Sequence, residues 1–115
     1  MKATQIIINK LLSNDALKEL TNGAIHPVIA RFGTASPYLV VRTDAVEKRY
    51  SKMGVQVGTT STVNVLCVAD SYEEMVLIAD EVNKLAGDNI EISSYRETFE
   101  EPDKLVAEFV CLFNN

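Results

Sequence analysis

Apolar residues in two parts of the chain recur with the period of an α-helix. A first helix is predicted over residues 4–12, and its apolar stripe contains Ile7, Ile8, Leu11 and Leu12. A second, short helix follows, with Ser13 or Asn14 as its N-cap and with Gly23 at the point where the chain leaves it. A longer helix is predicted from Ser71, in a capping box with Glu74, up to Gly87. Its buried stripe is predicted to contain Met75, Ile78, Ala79, Val82 and Leu85.

Other segments alternate apolar and polar residues with the period of a β-strand. The segment "YLVVRT" follows Pro37 and predicts a central strand, and residues 62–69 predict its neighbour. A short strand over residues 24–29 contains Pro27, which belongs at a sheet edge or a strand end. The polar residues 44–59 predict the tip of a long hairpin. Two final strands, "NIEISSYRETFE" and "KLVAEFVCLFN", flank the acidic turn "EEPD".

The resulting order of elements is α-α-β-β-β-α-β-β. Consecutive strands with short connections favour a mixed, mostly antiparallel sheet with the two main helices packed on one face, which is an α+β fold. The 115 residues are 47% hydrophobic and contain no repeat, so we predict one domain over residues 1–115. The longest apolar runs are far shorter than the roughly 20 residues of a membrane span, so no membrane partner is expected.

The last strand is apolar on both faces. One face contains Leu105, Ala107, Phe109, Cys111 and Phe113. The other face contains Val106, Val110 and Leu112, with Glu108 among them. Because two helices cover only one face of a sheet, the second face favours contact with another subunit.

The net charge of −5 is unevenly distributed along the chain. Residues 1–57 contain eight Lys or Arg against four Asp or Glu, whereas residues 58–115 contain three against twelve. This division suits copies that meet head to tail, although an uneven solvated surface gives the same count. The basic cluster at 48–52 could touch nucleic acid, but the acidic surplus would repel a polyanion, so no specific nucleic-acid binding is expected.

The residues that carry most enzyme chemistry are sparse. The five glycines do not form a phosphate-binding loop, so no nucleotide cofactor is indicated. His26, the only histidine, precedes a proline and is interpreted as a turn or packing residue. Cys67 and Cys111 lie in apolar strands without metal-ligand spacing and are interpreted as reduced core residues. The sequence therefore predicts no catalytic, cofactor or metal site.

Four segments resemble the small tail-completion, or tail-terminator-like, proteins of long-tailed bacteriophages and prophages. They are "LTNGAIHPVIA", "SPYLVV", "YSKMG" and "VNVLCVADSYEEMVLIADEVNKL". The resemblance covers nearly the whole chain and implies an α+β fold without catalysis. It also implies assembly into a ring, typically hexameric, at the head end of the tail tube. The implied partners are other copies, the tail tube and head-tail connector proteins, and the implied location is the virion tail, after assembly in the bacterial cytoplasm.

The same features lead to a hypothesis about the subunit interface. We expect the basic hairpin tip of one copy to contact the acidic second half of the next. The proposed residues are Lys48, Arg49 and Lys52 on the tip and Glu97, Glu100, Glu101 and Asp103 on the neighbour. The alternative function is a host-encoded, non-enzymatic α+β binding module, which would be monomeric or dimeric.

Overall fold

The structure, a computed structural model, describes residues 2–27, 37–87, 89–100 and 104–114, and for Glu100 the backbone alone. Its elements are α1 (Ala3–Leu12), α2 (Asp15–Thr21), β1 (Ile25–Pro27), β2 (Tyr38–Tyr50), β3 (Gln56–Ala69), α3 (Tyr72–Val82), one turn of 3-10 helix (Asn83–Leu85), β4 (Ile90–Glu100) and β5 (Lys104–Asn114). The order of elements predicted from the sequence is confirmed. None of the helices in these ranges is long and apolar enough to span a bilayer.

The five described strands form one mixed sheet in the order β1-β2-β3-β5-β4. β1 runs parallel to β2, and the other three neighbouring pairs are antiparallel. The predicted α+β class is therefore confirmed. β1 lies at an edge of the described sheet, which suits Pro27, a residue without a backbone N–H to donate. Residues 28 and 29 of the predicted strand lie outside the described part of the chain.

Capping side chains set the ends of the helices. The Asn14 side chain accepts a hydrogen bond of 3.1 Å from the Leu17 N–H at the start of α2. Ser71 Oγ likewise accepts a bond of 3.2 Å from the Glu74 N–H at the start of α3. The Glu74 carboxylate accepts from the N–H of Asp70, one residue before the N-cap, at 3.3 Å. α3 ends earlier than predicted, and Leu85 lies half-buried in the 3-10 turn that follows it.

One hydrophobic core lies between the helices and one face of the sheet. Residues from α1, α2, α3 and every strand belong to a single cluster of buried side chains. The fully buried members include Ile7, Leu11, Leu17, Leu39, Val41, Val63, Val65, Cys67, Met75, Ile78, Val82 and Phe109. The predicted stripe of α3 is thus confirmed, apart from the half-buried Leu85, and Val63, Val65, Cys67 and Ala69 form the inward face of β3.

The opposite face of the sheet is apolar at its centre but not widely exposed. Val40 and Val106 are each only 7% exposed, although neither packs into the helix-side core. Their apolar neighbours on β3 and β5 are half-buried, and Arg96 pairs with Glu108 across this face at 2.9 Å. Cross-strand neighbours therefore already shelter much of this surface. Contact of this face of the sheet with another subunit stays a prediction.

The hairpin of β2 and β3 extends well past the rest of the sheet. Thr60 pairs with Asn114, and the preceding residues of β3 have only β2 as a neighbour. The predicted central strand continues to Tyr50, because a ribbon in water on both faces needs no alternation of apolar residues. This projection, residues 44–59, is called the arm below. The chain is correspondingly elongated, with dimensions of 52 × 28 × 24 Å.

Candidate functional site: a basic arm and an acidic sheet end

The arm leaves the sheet at a bulge that side chains brace. The register of β2 and β3 shifts at Asp44. The Asp44 carboxylate accepts a hydrogen bond of 3.1 Å from Arg42 Nε and another from Asn64 Nδ2. The hydroxyls of Thr4 and Thr43 lie 2.6 Å apart and tie α1 to the base of the arm. These bonds fix the direction in which the arm projects.

Ser51 organises the turn at the tip of the arm. Its backbone N–H donates to the carbonyl of Val55 at 2.8 Å, and its hydroxyl accepts from the N–H groups of Met53 and Val55 at 3.3 Å each. Gly54 has a φ of 80°, which a residue with a Cβ adopts only with strain. Its N–H donates to the Ser51 carbonyl at 3.0 Å. The tip is therefore a hydrogen-bonded turn.

The three predicted basic residues all lie exposed on the arm. Lys48 is opposite Thr59 and Arg49 is opposite Gly58, so the two side chains point to opposite faces of the ribbon. Lys52 lies in the turn. The bases therefore surround the tip, whereas the two acids of the arm, Asp44 and Glu47, lie toward its base.

The predicted acidic partners belong to the far end of β4 and to the residues that follow it in the sequence. Glu97 is exposed on the helix side of the sheet, and its carboxylate accepts a hydrogen bond of 2.7 Å from Tyr95 Oη. Glu100 pairs with Lys104 in the ladder, but its side chain lies outside the described part of the chain, as do Glu101 and Asp103 entirely. The structure thus places one of the four predicted acids in full.

Within one chain, the basic and acidic groups lie at opposite ends of the sheet. The arm begins beyond Thr60 on β3, whereas the ladder that contains Phe99 meets β3 at Ala69, through Leu105. The 11 residue-to-residue steps from Gly58 to Ala69 correspond to about 36 Å of strand. The predicted contact is therefore impossible within a chain and requires two molecules.

Residues 44–59 were predicted to be a polar hairpin tip, but the arm also exposes apolar side chains. Five are exposed, and Met53 at the turn is 90% exposed. The five are Val46, Tyr50, Met53, Val55 and Val57. Their presence in a stretch without core contacts was the available signal, since an isolated arm has no core of its own to require them.

The two cysteines have the properties of core residues. Both side chains are fully buried. Burial, with a smaller contribution from Glu74, raises the pKa of the Cys67 thiol to about 12. Burial raises the pKa of the Cys111 thiol to about 11. Both thiols stay protonated near neutral pH, which makes them poor nucleophiles and poor metal ligands.

Other polar side chains of the described residues either form structural contacts or lie without the neighbouring groups that a catalytic site requires. No three His, Cys, Asp or Glu residues in the described ranges are grouped as a metal site would require. The Glu81 carboxylate, in a cleft between the ends of α1 and α3, accepts bonds from Asn14 at 2.9 Å and from Lys84 at 3.0 Å. These two bonds hold the pKa of Glu81 below its usual value. His26 packs near the Tyr38 ring, with 6.5 Å between ring centroids.

Comparison with solved structures finds the same fold in a virus-like particle. A chain in the virion of a native gene transfer agent particle superposes with a TM-score of 0.76 and 15% sequence identity. The match covers 99% of this chain and 98% of that chain. No protein-family model and no curated protein matches the sequence. The chain therefore shares its whole fold, from end to end, with a component of a gene transfer agent virion.

Proposed function

We propose that this protein is a structural component of a phage-like particle. The observation that carries the proposal is the end-to-end fold similarity with a chain of a gene transfer agent virion. The match covers 98% of that chain, so the similarity extends over that chain as a whole and is not confined to one segment of it. The protonated, buried thiols agree with a structural role.

Within the particle, we assign the protein to a ring that completes the tail tube at its junction with the head. A braced arm at one end of an elongated chain suits head-to-tail contacts between copies, because contacts of this kind close into a ring when the rotation between copies permits. The resemblance of four sequence segments to tail-terminator-like proteins supports the same assignment. The further partners would be the tail tube and the head-tail connector proteins.

In this ring, Lys48, Arg49 and Lys52 of one copy face the acidic sheet end of the next. The acidic residues are Glu97, Glu100, Glu101 and Asp103. Exposed ion pairs contribute only about 0–1 kcal/mol each, so the charges set register and association rate more than affinity. Most of the affinity then has to come from apolar contacts.

The assignment to the tail is tested by deleting the gene in the strain that makes the particle and examining the particles by electron microscopy. We expect tails of abnormal length or tails without heads, and restoration by the wild-type gene. Antibody labelling of complemented particles should mark one end of the tail. Particles of normal shape and normal transfer activity after deletion would refute the proposal.

The charge contribution is tested by reversing the three arm bases to Glu. Assembly should slow while the fold is kept, and the defect should deepen at low salt, where repulsion is less screened. The matched control reverses Lys2, Lys10 and Lys18, which are equally exposed on or beside the N-terminal helices and change the net charge by the same amount. Equal assembly rates of the two triple variants in low salt would show that the arm does not belong to the interface.

A further inference from the structure

The exposed large apolar side chains of the described residues fall into two groups. One is the set of five on the arm. The other lies around the start of α3 and the far end of β4 and consists of Tyr72, Leu77, Tyr95 and Phe99. We call this second group the aromatic patch. Phe99 is 61% exposed and Leu77 is 55% exposed, which is unusual for side chains of this kind unless a partner covers them.

The aromatic patch is held in place from below. The Tyr95 ring packs against the buried Phe109 ring, with 4.8 Å between centroids. The Tyr95 hydroxyl donates to Glu97, and burial together with this bond raises the pKa of Tyr95. Tyr72 makes a smaller contribution to the same shift in pKa. A partner therefore meets an ordered Tyr95 ring, on which little side-chain entropy is lost.

Beside the patch, α3 provides an open apolar hollow. It has a volume of about 440 Å³ and is lined by Tyr72, Glu73, Val76 and Leu77. A flexible, unbranched side chain suits such a shallow site, because it adapts to an irregular apolar surface. Met53 at the tip of the arm is such a side chain, and it has the highest exposed fraction among the apolar residues of both groups.

The charges around the two apolar groups are complementary. Residues 48–59 carry three bases and no acid, whereas residues 70–80 carry four acids and no base. Glu97 lies between Tyr95 and Phe99 on the same face of β4. The arm and the aromatic patch are therefore both apolar and opposite in charge. The arm of one copy suits the patch of a second copy of this chain. Along β3, Tyr95 is level with Val65 and Phe99 with Ala69, which are about 23 and 36 Å of strand from Gly58, so the arm cannot reach the patch of its own chain.

We propose that the arm of one copy docks on the aromatic patch of the next copy, with Met53 in the hollow between Tyr72 and Leu77. The arm bases then lie against Glu73 and Glu97. The contact is heterologous, so each copy uses its arm toward one neighbour and its patch toward the other. This inference rests on the proposed head-to-tail assembly and names the surfaces that supply its affinity.

The test is disulfide cross-linking of the full chain with Met53→Cys and Leu77→Cys combined. Under mild oxidation, each chain joins a neighbour at either end, so a ladder of dimers, trimers and larger species is expected. The control combines Met53→Cys with Glu19→Cys, an exposed position on α2 away from the patch. Docking raises the effective concentration of the two thiols, so the test pair should react on the order of tenfold faster than the control pair. The buried native cysteines do not compete.

Equal reaction of the two pairs, in purified protein and in assembled particles, would overturn the proposal. Efficient dimer formation by Met53→Cys alone would also overturn it, because it would indicate arm-to-arm contact. A ladder confined to mixtures with tail-tube protein would support the arm-to-patch contact and show that the tube is needed for it to form. If tail-end labelling succeeds and the ladder fails, only this inference is lost. If the ladder forms and gene deletion leaves the particles normal, only the proposed function is lost.

Discussion

Adjacent residues on α3 should respond in opposite ways to the same substitution. Ile78 is fully buried in the core, whereas Leu77 is 55% exposed in the aromatic patch. Replacing either by Asp removes a similar apolar side chain and introduces the same charge. Only the environment of the side chain differs, so the comparison isolates burial.

The expected cost at position 78 is comparable to the whole free energy of unfolding of a small domain. Truncating a buried Ile costs about 2–5 kcal/mol, and an unpaired buried carboxylate adds several kcal/mol more. The free energy of unfolding of a domain is typically about 5–15 kcal/mol in total. Ile78→Asp should therefore be largely unfolded or severely destabilised, whereas Ile78→Val should lose about 1 kcal/mol. Leu77→Asp should stay within about 0.5 kcal/mol of the wild type.

Urea denaturation followed by far-ultraviolet circular dichroism measures all three variants. A folded Ile78→Asp variant with the wild-type midpoint would show that α3 does not pack as described. Unfolding of Leu77→Asp would show that this side chain contributes to the core of the monomer. A stable Leu77→Asp variant that fails to assemble would in addition support the aromatic patch as an interface.

Three further predictions follow from local structure. Thiol labelling of Cys67 and Cys111 should be slow in native protein and fast in urea, and their replacement by Ala should cost stability without loss of assembly. Burial raises the folded pKa values of Cys67 and Cys111 from the usual 9.0 to about 12 and about 11, so the folded state retains these thiol protons more strongly. Stability should therefore be unaffected below pH 9 and fall as the pH rises from 9 to about 12, less steeply in the double Ala variant. Gly54→Ala should reduce hydrogen-exchange protection in the arm turn by about 1 kcal/mol, because its φ is 80° and its Cβ meets no neighbour, whereas Gly87→Ala should be neutral. Ser71→Ala should lower the free energy of unfolding by about 1 kcal/mol through loss of the α3 cap, and an unchanged urea midpoint would contradict that role.

The local sequence determined the type and order of the elements. The period of apolar residues identified α3 and its inward stripe, and alternation identified the inward residues of β3, because both depend only on backbone geometry. Ser71 marked a helix start correctly, since an N-cap acts on backbone groups within three residues. The sequence also lacks catalytic motifs, which likewise limited the candidate functions.

Tertiary structure decided which of the apolar residues are covered. Ile90 and Phe99 lie on the same face of β4, yet Ile90 is buried and Phe99 is largely exposed. A bulge beside Ser93 keeps the two residues on one face although their separation is odd, and no residue pattern marked it. Burial then depends on whether another element lies over each position. Whether an element lies over a position depends on residues distant in the sequence. Only the folded chain therefore reveals the aromatic patch and its separation from the arm.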